Sequence, residues 1–128
     1  GSALGTQGTQ NVARVVVATW ERARDLRTVR ALEQGPRRSA VFARFSPAGD
    51  LTLLDEMARP VRDAGRDAGL VAALRPTEES LIWVVSGGSR KGMDRAARAF
   101  RRTALRDAFA VAAPASGPTV PLPVGAGR

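Results

Sequence analysis

The 128-residue chain contains no cysteine, no histidine and no tyrosine. Their absence excludes disulfides, Cys/His zinc sites and the Ser-His-Asp and Cys-His nucleophiles. Aromatic residues make up only 5% of the chain, which is little for a protein that stacks single-stranded bases on exposed rings. Apolar runs such as residues 15–18 and 81–85 fall far short of the roughly 20 residues that span a bilayer. We therefore predict no cofactor, no metal and neither a signal nor a transmembrane segment in these residues, and we favour a non-enzymatic protein over an enzyme.

Positive charge is abundant instead. Lysine and arginine together number 20 against 12 acidic residues, a formal net charge of +8, and Lys91 is the one lysine. Such an excess favours contact with nucleic acid, anionic lipid head groups or an acidic protein surface. A GC-rich bacterial coding bias towards arginine, alanine and glycine is the alternative explanation of the same excess.

The two ends of the chain differ from its middle. Residues 1–10 are small and polar, and we expect a flexible lead-in there. Residues 113–128 carry recurring prolines and glycines without an apolar period, which predicts an extended or disordered tail. Residues 11–112 are long and apolar enough for one globular domain. Since Gly1-Ser2 is typical of a cloning remnant, we expect the chain to be a piece of a longer protein.

The first segment of the domain is predicted to be helical. Apolar residues recur at three- and four-residue steps over residues 11–34, and Gly35-Pro36 is a helix stop signal. The consecutive valines leave open a strand over residues 14–19 followed by a helix, because β-branched side chains favour strands.

A strand, a turn and a second helix are predicted next. Residues 39–45 have the bulk of a strand, and residues 46–50 have the composition of a turn. Residues 51–68 show helical spacing, and Pro60 within them predicts a kink or two short helices instead of one straight helix. The alternative is a hairpin that uses residues 51–54 as its second strand.

The remainder of the domain is predicted to alternate strands with one helix. The apolar runs 70–74 and 81–85 should pair as an antiparallel hairpin around a turn at 76–79. A helix follows over 93–106 and a last short strand over 109–112. The expected fold class is α/β or α+β, with a small mixed sheet of about four short strands covered by about three helices and a flexible tail rich in proline and glycine.

Between the last hairpin and the last helix lies a glycine-rich loop, residues 86–92 (SGGSRKG). Glycines let backbone N–H groups approach a ligand, and the start of a helix supplies free N–H groups and partial positive charge. In the following helix, cations recur half a turn away from an apolar stripe of Met93, Ala97, Phe100 and Ala104. The predicted anion- and partner-binding residues are Ser86, Gly87, Gly88, Ser89, Arg90, Lys91, Gly92, Arg95, Arg98 and Arg102.

The loop also resembles the cofactor loop of short-chain dehydrogenases, in which a strand ends in Thr-Gly-Gly-Ser-Arg-Gly-Ile-Gly. Here the sequence reads SGGSRKGMD over residues 86–94, so the last glycine of that pattern is absent. The family's catalytic tyrosine has no counterpart in a chain without tyrosine. The resemblance covers fewer than ten residues, and the chain is not assigned to that family.

These observations predict a non-enzymatic binding module whose basic loop and helix face contact an anionic partner, either phosphate, nucleic acid or an acidic protein. One alternative is an interaction domain from a larger, membrane-anchored protein assembly, in which apolar faces contact a protein partner. The other is a small nucleotide-binding α/β domain. A homo-oligomer is compatible with each of them.

Overall fold

A strand, and not a helix, begins the domain. The structure, a computed structural model, describes residues 12–77, 80–103, 110–115, 118–122 and 124. β1 (Val12–Thr19) contains the three consecutive valines and pairs in parallel with a distant strand. The prediction of one helix over residues 11–34 is therefore wrong. Of its alternative, a strand over 14–19 followed by a helix, the strand is confirmed, and short helical turns stand where the helix was expected. β-branched valines lose rotamer freedom in a helix and pack well on a sheet.

Short helical turns connect β1 to the next sheet. Their bounds are α1 (Trp20–Ala23), a 3₁₀ helix (Val29–Glu33) and α2 (Pro36–Ser39). Trp20 is fully buried, and its ring stacks on Phe45 with centroids 4.4 Å apart. This stacking therefore joins the segment that follows β1 to Phe45, which belongs to the sheet that the chain forms next.

The second sheet is an antiparallel meander of three strands, β2 (Ala43–Phe45), β3 (Leu51–Leu54) and β4 (Pro60–Gly65). The helix predicted over residues 51–68 is wrong, and the alternative hairpin is correct. Leu51 and Leu53 are fully buried while Thr52 between them is half-buried, which is the period of a strand with one buried face. Pro60 stands at the first position of β4, a place where a strand tolerates proline.

The first sheet contains β1 and four further strands, β5 (Gly69–Thr77), β6 (Ser80–Gly87), β7 (Ala110–Ala113) and β8 (Val120–Pro121). Their order across the sheet is β1-β6-β5-β7-β8, and α3 (Arg90–Thr103) connects β6 to β7. The predicted hairpin, last helix and last strand are confirmed where the chain is described, with α3 beginning three residues before the predicted start at 93. Residues 104–106 of the predicted helix and residue 109 of the predicted strand lie outside the described residues. Within the expected tail, β8 pairs with β7, and Val124 bridges to Asp55.

Two cores lie on opposite faces of the five-stranded sheet. Ala96 and Ala99 of α3 pack on Val71 and Val85 on one face. The larger core fills the other face and includes Trp20 together with Leu51 and Leu53 of β3. No described helix combines the length and apolarity needed to cross a bilayer.

The expected architecture needs correction. The described residues form eight strands in two sheets, and α3 is the one helix among them longer than five residues. A four-stranded sheet covered by three helices is therefore wrong. The coarser prediction of a small domain with a mixed sheet is confirmed, because β1 runs parallel to β6 while the other pairs of that sheet are antiparallel.

Candidate anion-binding surface

The predicted glycine-rich loop lies at the junction of β6 and α3. Ser86 and Gly87 are the last residues of β6, and α3 begins at Arg90. Ser86 is fully buried, and its hydroxyl oxygen has no hydrogen-bond partner within the described part of the chain. The exposed portion of the loop therefore begins only after Gly88, which is itself buried.

The three glycines of the loop are held in close backbone contacts. A Cβ atom on Gly88 would overlap the carbonyl oxygen of Gly49, and one on Gly92 would lie 2.5 Å from the carbonyl oxygen of Ala68. A Cβ on Gly87 would overlap the backbone of Gly92. These contacts explain why glycine stands at all three positions, since only a residue without a side chain lets the loop backbone approach the neighbouring backbone so closely. Their part in anion binding stays a prediction.

Ser89 caps the start of α3 and ties it to the turn between β4 and β5. Its hydroxyl accepts a hydrogen bond from the Gly92 N–H at 3.2 Å and donates one to Asp67 Oδ1 at 2.6 Å. The carboxylate of Asp67 thus stands near a helix N-terminus, where negative charge is favoured. Arg66 reinforces the junction by donating from Nη2 to the Gly88 carbonyl at 3.3 Å.

The cations of α3 occupy the side of the helix that faces away from the sheet. Gly92, Ala96 and Ala99 are buried, so the buried stripe is centred one residue earlier in each turn than the sequence predicted. Met93 and Phe100 lie half-buried beside it, and Ala104 lies outside the described residues. We define the α3 basic face as Arg90, Lys91, Arg95, Arg98, Arg101 and Arg102.

Most of the α3 basic face is open to solvent. Arg90, Lys91 and Arg98 are exposed, while Arg95 is half-buried and donates from Nη1 to the Asp67 carbonyl at 3.4 Å. The backbone of Arg102 belongs to α3, and its side chain is outside the described part. Sequence reasoning missed Arg101, which is exposed and directly precedes Arg102.

No ion pair among the described residues involves the α3 basic face. Within the described ranges the ion pairs are Arg24–Glu33 and Arg59–Asp55, and neither involves α3. Asp94 is the one carboxylate among the described residues of the helix, against six cations. The described residues also contain no group of three acidic side chains placed to hold a metal ion.

Comparisons with known proteins do not assign the chain to a family. No protein-family model matches the sequence, and neither a curated protein nor a solved structure shows significant similarity to the chain.

Proposed function

We propose that this domain is a non-enzymatic binding module that contacts an anionic partner through the α3 basic face. The observation that carries the proposal is a single helix with six cations and one carboxylate, packed on the sheet by its alanine side. Positive charges that line one exposed helix face can follow a row of phosphates or meet an acidic protein surface. The structured junction of Ser89 and Asp67 fixes the orientation of the helix.

The charges are placed at a cost to the stability of the helix. Arg90 and Lys91 stand in its first turn, where the helix dipole disfavours cations. Lys91 and Arg95 are four residues apart, and like charges at this spacing repel each other. Stability alone therefore does not explain the pattern, whereas an anionic partner would relieve both repulsions.

The test is salt-dependent binding to a fluorescein-labelled DNA duplex and to polyphosphate, followed by fluorescence anisotropy. If four cations contact phosphates, the slope of log K against log salt for the duplex is roughly −3 to −4. The charge-reversal variant Lys91→Glu/Arg98→Glu/Arg101→Glu should lose most of this affinity and slope. The matched control is Arg37→Glu/Arg44→Glu/Arg62→Glu, which changes the net charge equally at exposed positions outside α3. Equal losses in both triple variants, or retained affinity in the α3 variant, would reject the proposal.

A second candidate function, an interaction domain within a larger assembly, is favoured by β1. This strand is an edge of the sheet among the described residues, and Val15 and Val17 on one of its faces are 52% and 54% exposed. An apolar edge strand presents unpaired backbone groups to which a second chain can add a strand. Its register with β6 contains no bulge that would block such pairing.

Self-association is the direct test of this second function. If two copies pair through β1, sedimentation equilibrium of the wild-type chain will show concentration-dependent dimers, and Val15→Lys/Val17→Lys will remove them. The control is Met57→Lys, at an apolar residue that is 68% exposed elsewhere on the surface. A monomer at every concentration would count against pairing between copies.

A further inference from the structure

Two cavities lie side by side at the end of the five-stranded sheet where β6 begins. The segment between α1 and α2 crosses the sheet there, and Arg27 and Thr28 line both cavities. The larger has a volume of about 660 Å³ and the smaller about 350 Å³, which are the sizes of cavities that hold small molecules.

Cationic and hydrogen-bonding side chains surround these cavities. Arg14 and Arg27 are exposed and take part in no ion pair among the described residues. None of the described lining residues is acidic. Those of the larger cavity are Arg27, Thr28, Ala31, Gln34, Ser39, Ala40, Ala73, Leu74, Arg75 and Leu81, and those of the smaller are Arg14, Leu26, Arg27, Thr28, Val29, Ser80 and Ile82. The electrostatics therefore favour a ligand with negative charge.

The cavities also present apolar surface. Leu74 and Leu81 line the larger one, and Leu26, which is 41% exposed, lines the smaller. A bare inorganic anion would leave this surface in contact with water. A ligand that combines an anionic group with an apolar body would use both kinds of lining, because burial of apolar area adds to the charge attraction.

From this arrangement we infer a binding site for a small organic phosphate, with Arg27 at its centre. A guanidinium group binds phosphate oxygens with two parallel N–H donors, and Thr28, which lines both cavities, carries a hydroxyl that can donate a further hydrogen bond. Arg14 supplies a second guanidinium from the side of β1. This site is separate from the α3 basic face, since none of its lining residues belongs to α3.

Isothermal titration calorimetry of the full chain with phenyl phosphate tests the site, with inorganic phosphate, phenol and benzoate as comparison probes. We expect saturable binding of one phenyl phosphate, tighter than that of each other probe. Arg27→Gln should weaken it by about ten- to hundredfold, the loss of one charged hydrogen-bonded contact. Arg62→Gln, an exposed arginine of β4 away from both cavities, should change it by less than about twofold.

Absence of saturable binding, or an equal weakening by Arg62→Gln, would overturn the inference. Binding of inorganic phosphate or benzoate at least as tight as that of phenyl phosphate would overturn it as well. The α3 variant Lys91→Glu/Arg98→Glu/Arg101→Glu should still bind phenyl phosphate. Failure of the cavity site can therefore be distinguished from failure of the proposed function of α3. Loss of phenyl phosphate binding in that variant, with an unchanged circular dichroism spectrum, would place the phosphate on α3 and also reject the inference.

Discussion

Glu33 provides the sharpest test of the packing around Trp20. The indole Nε1–H of this fully buried tryptophan donates to Glu33 Oε2 at 2.8 Å, and Arg24 Nε donates to the same oxygen at 2.6 Å. Replacement by alanine, Glu33→Ala, leaves the indole N–H without its acceptor. An unsatisfied buried donor costs about 1–3 kcal/mol, so we expect the free energy of unfolding to fall by roughly that amount.

Glu33→Gln separates the hydrogen bond from the charge. Its side-chain carbonyl can still accept from Trp20, while the ion pair with Arg24 is lost. Because that pair is partly exposed, we expect Glu33→Gln to lose less than half of what Glu33→Ala loses. Urea unfolding at pH 7, followed by far-ultraviolet circular dichroism and tryptophan fluorescence, measures both values. Equal losses in the two variants, or no loss in Glu33→Ala, would refute the assignment of Glu33 as the indole's acceptor.

The same carboxylate predicts a pH dependence. The hydrogen bond from Arg24 holds the pKa of Glu33 below its ordinary value of 4.5. Burial raises this pKa by less than the hydrogen bond lowers it, and the hydrogen bond from Trp20 lowers the pKa further. A group with a lowered pKa stabilises the fold fully above its unfolded pKa and loses that contribution as the pH falls through its folded pKa. The stability difference between wild type and Glu33→Gln should therefore be constant near neutral pH and shrink below about pH 4.5. The pKa of Asp55 is also lowered, chiefly by a backbone hydrogen bond from Arg59. Because Asp55 is present in both proteins, its contribution cancels from their stability difference.

Two further substitutions test the junction of β6 and α3. Gly88→Ala would force a Cβ into the Gly49 carbonyl and should lower the free energy of unfolding by about 1–3 kcal/mol. Urea unfolding measures this loss, and an unchanged urea midpoint would contradict the close packing. Ser86→Ala removes a buried hydroxyl without a described partner and should leave the melting temperature equal or higher, whereas a marked drop would reveal a hydrogen bond to that hydroxyl.

The sequence predicted best those elements whose signal is local. The hairpin of β5 and β6 and the helix α3 stand out because apolar runs and amphipathic spacing depend only on neighbouring residues. The helix predicted over residues 51–68 is wrong because Leu51 and Leu54 fit the helical period while Leu51 and Leu53 fit an alternating strand, and only the pairing of β3 with two neighbours decides between them. Tertiary pairing thus overrides a local pattern in this region.

The candidate surface was predicted in part for the same reason. The periodicity of the cations in α3 could be read from the sequence, because helical spacing fixes the face on which they stand. The contacts of Gly88 with Gly49 could not, since they join residues far apart in the chain. The cavities around Arg27 were also invisible, because Arg14, Arg27 and Ser80 come together only through the parallel pairing of β1 with β6.

That parallel pairing also sets the order of folding during synthesis. Val12 of β1 is paired with Ser80 of β6, so the first described strand leaves the ribosome well before its one neighbour among the described strands exists. At about 5–20 residues per second the wait is several seconds, and the meander of β2, β3 and β4 can form during it. The backbone of β1 and Val16, which packs against the larger core in the fold, remain uncovered until then, and this interval is when a nascent chain of this protein most needs protection from aggregation.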